Sequence, residues 1–305
     1  MTETSIKETR CGFVAVIGAP NAGKSTLVNA LVGAKVSIVS PRVQTTRTIV
    51  RGIAMFGDAQ VIFMDTPGIF QPKKRLERAM VAAAWSGAAD AEVILLMVDA
   101  SKAGKPDPDT DRIVEDIKLS KRKAFLALNK VDITAKEKLL DLTARLHASG
   151  IFEEIFMISA LTGDGLAQLR DKLTSLMAPG PWMFPEDDIS DMPARLLAAE
   201  ITREKLFLNL RQELPYSCAV ETERWEEKKD GSVRIEQVIY VSRETHRPIV
   251  LGNGGQRLKT IGAAARHELG MLLERQVHLF LHVKVNERWT EDRTLYASWG
   301  LDFNA

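Results

Sequence analysis

The chain has 305 residues, 45% of them hydrophobic and 27% charged, with a formal net charge of +1. That balance suits a globular protein long enough for two cores. It excludes a low-complexity chain, and the longest apolar run, Val93 to Val98, is far short of the roughly 20 residues a bilayer span needs. The two cysteines, Cys11 and Cys218, match no metal-ligand spacing and suit free thiols in a reducing compartment. The polar start, Met1 to Arg10, carries no secretory pattern. A cytoplasmic setting is expected, with peripheral contact at the inner face of the cell membrane left open.

In chain order, the first strand-like run is Phe13–Ile17, followed by Gly18-Ala19-Pro20-Asn21-Ala22-Gly23-Lys24-Ser25 and the helix-compatible Thr26–Leu31. A strand, a glycine-rich loop ending in Lys-Ser and a helix form a phosphate cradle. The glycines allow a tight turn, so that backbone N–H groups and the helix N-terminus point at phosphates; Lys24 adds positive charge and the Ser25 hydroxyl can ligate Mg²⁺. The predicted phosphate-binding set is Gly18, Asn21, Ala22, Gly23, Lys24, Ser25 and Thr26. The polar segment Pro41–Arg47 reads as a loop able to bring a threonine hydroxyl to the metal, with Thr46 preferred to Thr45. A second run, Val61–Met64, stops at Asp65-Thr66-Pro67-Gly68. There Asp65 can reach the Mg²⁺ shell, and the segment as a whole can sense a terminal phosphate that hydrolysis removes.

After a third run, Val93–Val98, a fourth, Ala124–Leu128, ends in Asn129-Lys130-Val131-Asp132, and a fifth, Ile155–Ile158, ends in Ser159-Ala160. The Asp132 carboxylate can accept from both the ring N–H and the exocyclic amino group of guanine, whereas adenine would leave it unpaired. Asn129 can bond the base or neighbouring loops. The Lys130 stem can lie over the ring, and Ser159 and Ala160 can offer backbone N–H. The expected ligand is therefore GTP or GDP with Mg²⁺. Apolar runs separated by helical patterns imply an α/β domain with a mostly parallel sheet, its ligand at the carboxyl ends of the strands.

Residues 178–193, with four prolines and a cluster of acids, read as an extended linker. The expected division is a nucleotide domain over 1–178, a linker over 179–193 and an α+β domain over 194–305. The last region reads as helix (194–210), strand (216–226), Asp-Gly turn, strand (232–243), a Gly252-Asn253-Gly254-Gly255 loop, helix (256–273) and strand (277–285). Residues 242–284 carry seven Lys/Arg against three acids. Glycines at both ends of such a loop would let a nucleic-acid backbone approach helix N–H groups. The predicted RNA contacts are Gly252, Asn253, Gly254, Gly255, Arg257 and Lys259.

These motifs resemble the Era branch of the TrmE-Era-EngA-like GTPases, both in residues 18–25 with the Gln44-Thr45-Thr46-Arg47 loop and in the segments 249–262 and 277–285. The resemblance implies a P-loop GTPase domain followed by a type II KH domain, binding to the 3′ end of small-subunit ribosomal RNA, assistance in small-subunit assembly, and a monomer. It also implies that Asn21 stands where some relatives bind K⁺, which is left open here. The sequence departs from the Ras pattern at Ile69, an apolar residue where a water-orienting glutamine would stand, so slow intrinsic hydrolysis is expected. The loop residues Asn253 and Gly254 bring no positive charge where many KH loops carry a lysine. The alternative is a GTPase whose second domain grips a protein or membrane surface in traffic or cell-cycle control.

Overall fold

The computed structural model describes residues 8–305; the reading of the chain's start lies, up to residue 7, outside the described residues. The chain divides into two compact units, Met1–Asp191 with Asn304–Ala305, and Met192–Phe303.

In the first unit, β1 (Arg10–Gly18) leads through the glycine-rich loop into α1 (Lys24–Val32). A long loop then reaches β2 (Val50–Phe56) and β3 (Ala59–Asp65), followed by α2 (Arg75–Asp90), β4 (Val93–Asp99), α3 (Pro108–Leu119), β5 (Ala124–Asn129), α4 (Lys136–His147), β6 (Phe152–Ile158) and α5 (Leu166–Ser175). Helix starts have local causes. Glu77 reaches back to accept the Lys73 and Lys74 N–H groups at 2.7 and 3.1 Å ahead of α2. Asp107 caps α3, accepting from Thr110 N–H, with Pro108 in the first turn.

The sheet order is β2-β3-β1-β4-β5-β6. Every pairing along β3-β1-β4-β5-β6 is parallel. Strands β3, β4 and β5 are buried throughout, which explains why they read as unbroken apolar runs. Strand β2 was not expected. It pairs antiparallel with β3 across a tight turn at Gly57-Asp58, and its sequence, Val-Arg-Gly-Ile-Ala-Met-Phe, hides it because an arginine and a glycine break the apolar run.

The segment expected to be an extended linker packs along the first unit's sheet. Ala178–Pro179 forms the short strand β7 against the start of β1, and Trp182 Nε1 donates to the Asp58 carbonyl. The fully buried Gln60 side chain accepts from the Met183 and Phe184 N–H groups at 2.9 and 3.0 Å and donates to the Phe184 carbonyl at 2.9 Å. Farther on, Ile53 N–H donates to the Ile189 carbonyl, and Arg51 pairs with Asp191 at 2.7 Å. The prolines favour an extended segment, as their fixed φ requires, and its backbone groups at Gly180, Met183, Phe184 and Ile189 are bonded to the first unit.

The second unit contains α6 (Ala194–Asn209), β8 (Cys218–Glu227), β9 (Val233–Val241), α7 (His246–Leu251), α8 (Gln256–Leu272), β10 (Val277–Val285) and α9 (Arg293–Ser298). Its sheet runs β10-β9-β8, with β10 parallel to β9 and β8 antiparallel to it. Ile261, Ala265 and Leu269 of α8 repeat at four-residue spacing and are buried, Ile261 beside Val283 and Val250 in the core. An aromatic group closes the C-terminal end: Trp289, Tyr296 and Trp299 are all buried, and Tyr296 stacks edge-on with Phe303 at 5.0 Å. Among the described residues no helix is long and apolar enough to cross a membrane.

Removing the Gln60 side chain should free the strap it holds. Gln60→Ala is expected to lower the unfolding free energy by about 2–3 kcal/mol, the scale of leaving buried backbone groups unpaired, and to open residues 180–191 to limited proteolysis. Urea unfolding and protease mapping check both.

Candidate functional site

A cleft of about 330 Å³ opens at the carboxyl ends of β1 and β3, lined by Asn21, Gly23, Lys24, Ser25 and Thr26 of the loop and start of α1, by the segment around Thr46, and by Gly68 and Lys130. Its floor is the glycine-rich turn. Gly18 and Gly23 have φ of 151° and 98°, and a Cβ at Gly23 would collide with the amide of Asn129. Only glycine fits there. Asn21 is also left-handed, at φ 64°, and its amide donates to the Pro41 carbonyl at 3.2 Å.

The three residues predicted to surround Mg²⁺ come together. Ser25 Oγ donates to Asp65 Oδ2 at 2.6 Å and lies 3.0 Å from Thr46 Oγ1. Thr46 thus stands beside Ser25, whereas the Thr45 hydroxyl bonds the Ser40 hydroxyl and the Arg42 carbonyl. Asp65 is fully buried and its second oxygen, Oδ1, has no hydrogen-bond partner. Burial pushes its carboxyl pKa up, a rise opposed by the Ser25 bond and the Lys24 charge. A buried carboxylate with an orphaned oxygen beside two hydroxyls is a donor set suited to a hard divalent cation.

Lys24 is 6% exposed, and its ammonium donates to the Gly18 and Ala19 carbonyls at 3.0 and 3.1 Å. Burial pushes its pKa down to about 8, with Asp65 pulling it back up. The cradle thus holds a desolvated cation whose charged form an anionic ligand would favour.

Other predicted residues have structural duties. Thr66 Oγ1 donates to the Val16 carbonyl at 2.8 Å in a fully buried position, so it ties β3 to β1 instead of facing the cleft. Pro67 and Gly68 are buried, and Gly68 packs so closely on Pro20 that a Cβ would lie 2.9 Å from its ring. Ile69 is 1% exposed, its side chain packed in the core, and its N–H donates to the Gly18 carbonyl. Ala22, also buried, offers its carbonyl rather than a side chain.

The predicted base-reading groups meet through Asn129. Its Nδ2 donates to the Ala22 carbonyl at 2.8 Å, and its Oδ1 accepts the Ala160 N–H at 2.9 Å, which joins the phosphate loop to the segment after β6. Ser159 N–H is taken by the Asp164 carbonyl, and Ser159 Oγ accepts from Thr162 N–H. The two N–H groups assigned to the base are therefore already engaged, and a base carbonyl would have to share that of Ala160. Asp132 is exposed on the short turn Val131–Ile133. Lys130 sits at φ 67° and pairs with Asp99 at 2.6 Å. The sequence reading missed Asp99. Its signal was its position, since Asp65 and Asn129 close apolar strands in the same way.

In the second unit, Gly252, Gly254 and Gly255 all have positive φ, between 54° and 78°. A Cβ on Gly252 would lie 2.7 Å from that of Arg257, while Gly254 and Gly255 face open space at the start of α8. Asn253 and Lys259 are exposed. Arg257 is turned back, its guanidinium donating to the Ile249 carbonyl at the end of α7, so it closes a helix instead of projecting toward a phosphate.

A strand–P-loop–helix on a parallel sheet, followed by a glycine loop on an α+β domain, defines a P-loop GTPase carrying a KH domain. Family matching agrees: residues 13–130 match the family described as 50S ribosome-binding GTPase, and residues 213–290 match the KH domain. The chain is 58% identical to the GTPase Era of Sinorhizobium medicae over 99% of its own length and 97% of that protein, and 55% identical to the GTPase Era of Caulobacter vibrioides over the full length of both. A crystal structure of an Aquifex aeolicus Era variant bound to GDP·AlF4⁻ aligns with a TM-score of 0.89 at 40% identity, covering 96% of this chain and 99% of that one. An Era structure in complex with MgGDPNP and nucleotides 1506–1542 of 16S ribosomal RNA aligns with a TM-score of 0.90, also at 40% identity and with the same coverage. The chain belongs to the Era family of GTPases and is a GTP-hydrolysing enzyme.

Because the folded-state pKa of Lys24 lies below its ordinary value of 10.5, the unfolded chain binds more protons between about pH 8 and 10.5. Stability contributed at this position therefore rises with pH across that window. The unfolding free energy of nucleotide-free protein, taken relative to Lys24→Met, should increase by up to about 3 kcal/mol from pH 7 to pH 10.5, measured by denaturant titration.

Proposed function

We propose that this chain binds GTP with Mg²⁺ in the cleft of its first unit, hydrolyses it slowly, and uses the glycine loop of its second unit to bind the 3′ end of small-subunit ribosomal RNA during assembly of that subunit. The observation that carries the nucleotide half is the meeting of Ser25, Thr46 and the orphaned Asp65 carboxylate beside a buried lysine. Ser25 and Thr46 would hold Mg²⁺ through their hydroxyls and Asp65 through its carboxylate; the ion neutralises phosphate charge that develops during transfer. Lys24 binds the phosphates, and Asp132 selects guanine. With Ile69 buried, no side chain there orients water, which supports slow hydrolysis. Asn21, which lines the cleft and whose amide nitrogen is bonded to Pro41, is the residue that would take a monovalent cation such as K⁺.

The RNA half is supported by the Era relative that carries 16S ribosomal RNA and by the open space in front of Gly254 and Gly255. Lys259 is the exposed cation of the predicted set, and the backbone N–H groups at the start of α8 supply the rest. Both cysteines are free thiols, consistent with the cytosolic setting we assign along with a monomeric state.

Two results test this reading. Thr46→Ala should raise the Mg²⁺ concentration needed for half-maximal GTP turnover by about 10-fold, the scale of losing one interaction at the ion, whereas Thr45→Ala leaves it near wild type. In filter binding to a 3′-terminal 16S RNA fragment, Lys259→Ala should weaken binding and lower the slope of log affinity against log salt by about one unit. Failure of the wild-type protein to bind this RNA in either nucleotide state would sink the RNA half and favour a protein or membrane partner.

A further inference from the structure

The Asp99 carboxylate stands at the carboxyl end of β4, and the sheet register sets it directly beside Asn129 at the end of β5. It is 6% exposed and its two oxygens are divided. Oδ1 accepts the Ser101 N–H at 3.1 Å and the Ser101 O–H at 2.6 Å; Oδ2 accepts the Lys130 ammonium at 2.6 Å. The Ser101 pair caps a short turn and by itself would give Asp99 a purely local explanation. No cap requires the bond to Lys130.

A lysine on an exposed loop ordinarily extends its charge into water. Lys130 instead is fixed at both ends. Its backbone is left-handed, with its carbonyl accepting the Thr134 O–H at 2.7 Å and the Ile133 N–H at 3.3 Å, while its ammonium is held by Asp99. Between these anchors the side chain lines the cleft with Pro20, Asn21 and Gly23. Released from Asp99, the ammonium would be free to seek solvent or the exposed carboxylate of Asp132.

We infer that Asp99 is a positioning residue for guanine recognition: it holds the Lys130 ammonium so that the apolar stem, rather than the charge, faces the base. This rests on reading the cleft as a GTP site. The bond between the two side chains is charge-assisted and largely shielded from water on the Asp99 side, the setting in which such a bond restrains a flexible side chain most strongly.

The test is calorimetric titration of wild type, Asp99→Asn, Asp99→Ala, Lys130→Ala and the Asp99→Ala/Lys130→Ala double variant with GDP and with inorganic tripolyphosphate, which meets the phosphate loop but no base. Asp99→Asn keeps an oxygen for Ser101 and replaces the oxygen facing Lys130 with an amide N–H donor, which removes both the charge and the acceptor for the ammonium. The Asp99 variants should bind GDP about 10-fold more weakly, bind tripolyphosphate as wild type does, and show the defect in KM rather than kcat. In the Lys130→Ala background, Asp99→Ala should add no further loss. Additive losses, an equal loss for tripolyphosphate, or GDP affinity unchanged in either Asp99→Ala or Lys130→Ala would overturn the inference. Wild-type protein that takes up tripolyphosphate but not GDP would overturn the GTP reading itself, and this inference with it.

Discussion

Three loops that are far apart in the chain depend on one amide. Asn129 donates to the phosphate loop at Ala22 and accepts from Ala160, and its own position is dictated by β5, buried on both faces. The amide leaves no room for a side chain at Gly23, so the loop's glycine and the asparagine are two halves of one constraint. An Asn side chain suits this place because it offers a donor and an acceptor at fixed separation, and both are matched inside a site largely withdrawn from water. The parallel sheet supplies the alignment. Asp65, Asp99 and Asn129 each end a strand, and the pairing of β3, β1, β4 and β5 brings those ends to one edge.

Electrostatics then define what the edge can hold. A buried lysine and a buried carboxylate face the same cleft, each with its charged form disfavoured by desolvation and partly restored by the other. The carboxylate is not fully satisfied by protein groups, since its Oδ1 has no hydrogen-bond partner, while the lysine ammonium rests on the Gly18 and Ala19 carbonyls. Such a site is complete only with an anion against the lysine and a cation against the carboxylate. The rim is less demanding: Lys130 is paired with Asp99, and Asp132 is left exposed.

The second unit is built on a different economy of charge. Its glycine loop contributes backbone rather than side chains, since Arg257 is bound to the Ile249 carbonyl and Asn253 is uncharged. Binding there would draw on N–H groups at the start of α8 and on Lys259, which favours recognition by shape and close approach over bulk attraction. A chain with net charge +1 is consistent with that balance.

How much was legible from residues alone differs from one position to the next. The sequence by itself determined the chemistry and the order of the elements, because each motif is a local event: a strand's apolar run, the turn residues after it and the helix start that follows are neighbours in the chain. Helices α6 and α8 and strands β8, β9 and β10 fell within one or two residues of their expected bounds for the same reason, whereas the short helices α7 and α9 had no counterpart among the expected elements. Strand β2 stayed hidden because its arginine and glycine mask a pairing that only β3 reveals. Tertiary structure alone decided which polar groups face the cleft. Thr46 rather than Thr45 meets Ser25, Thr66 is consumed by Val16, Asp99 finds Lys130 across 31 residues, and the proline-rich segment is laid down on Gln60 across more than 120. Those choices are made by hydrogen bonds between residues distant in sequence, and a buried donor or acceptor takes whichever partner the folded chain brings within about 3 Å.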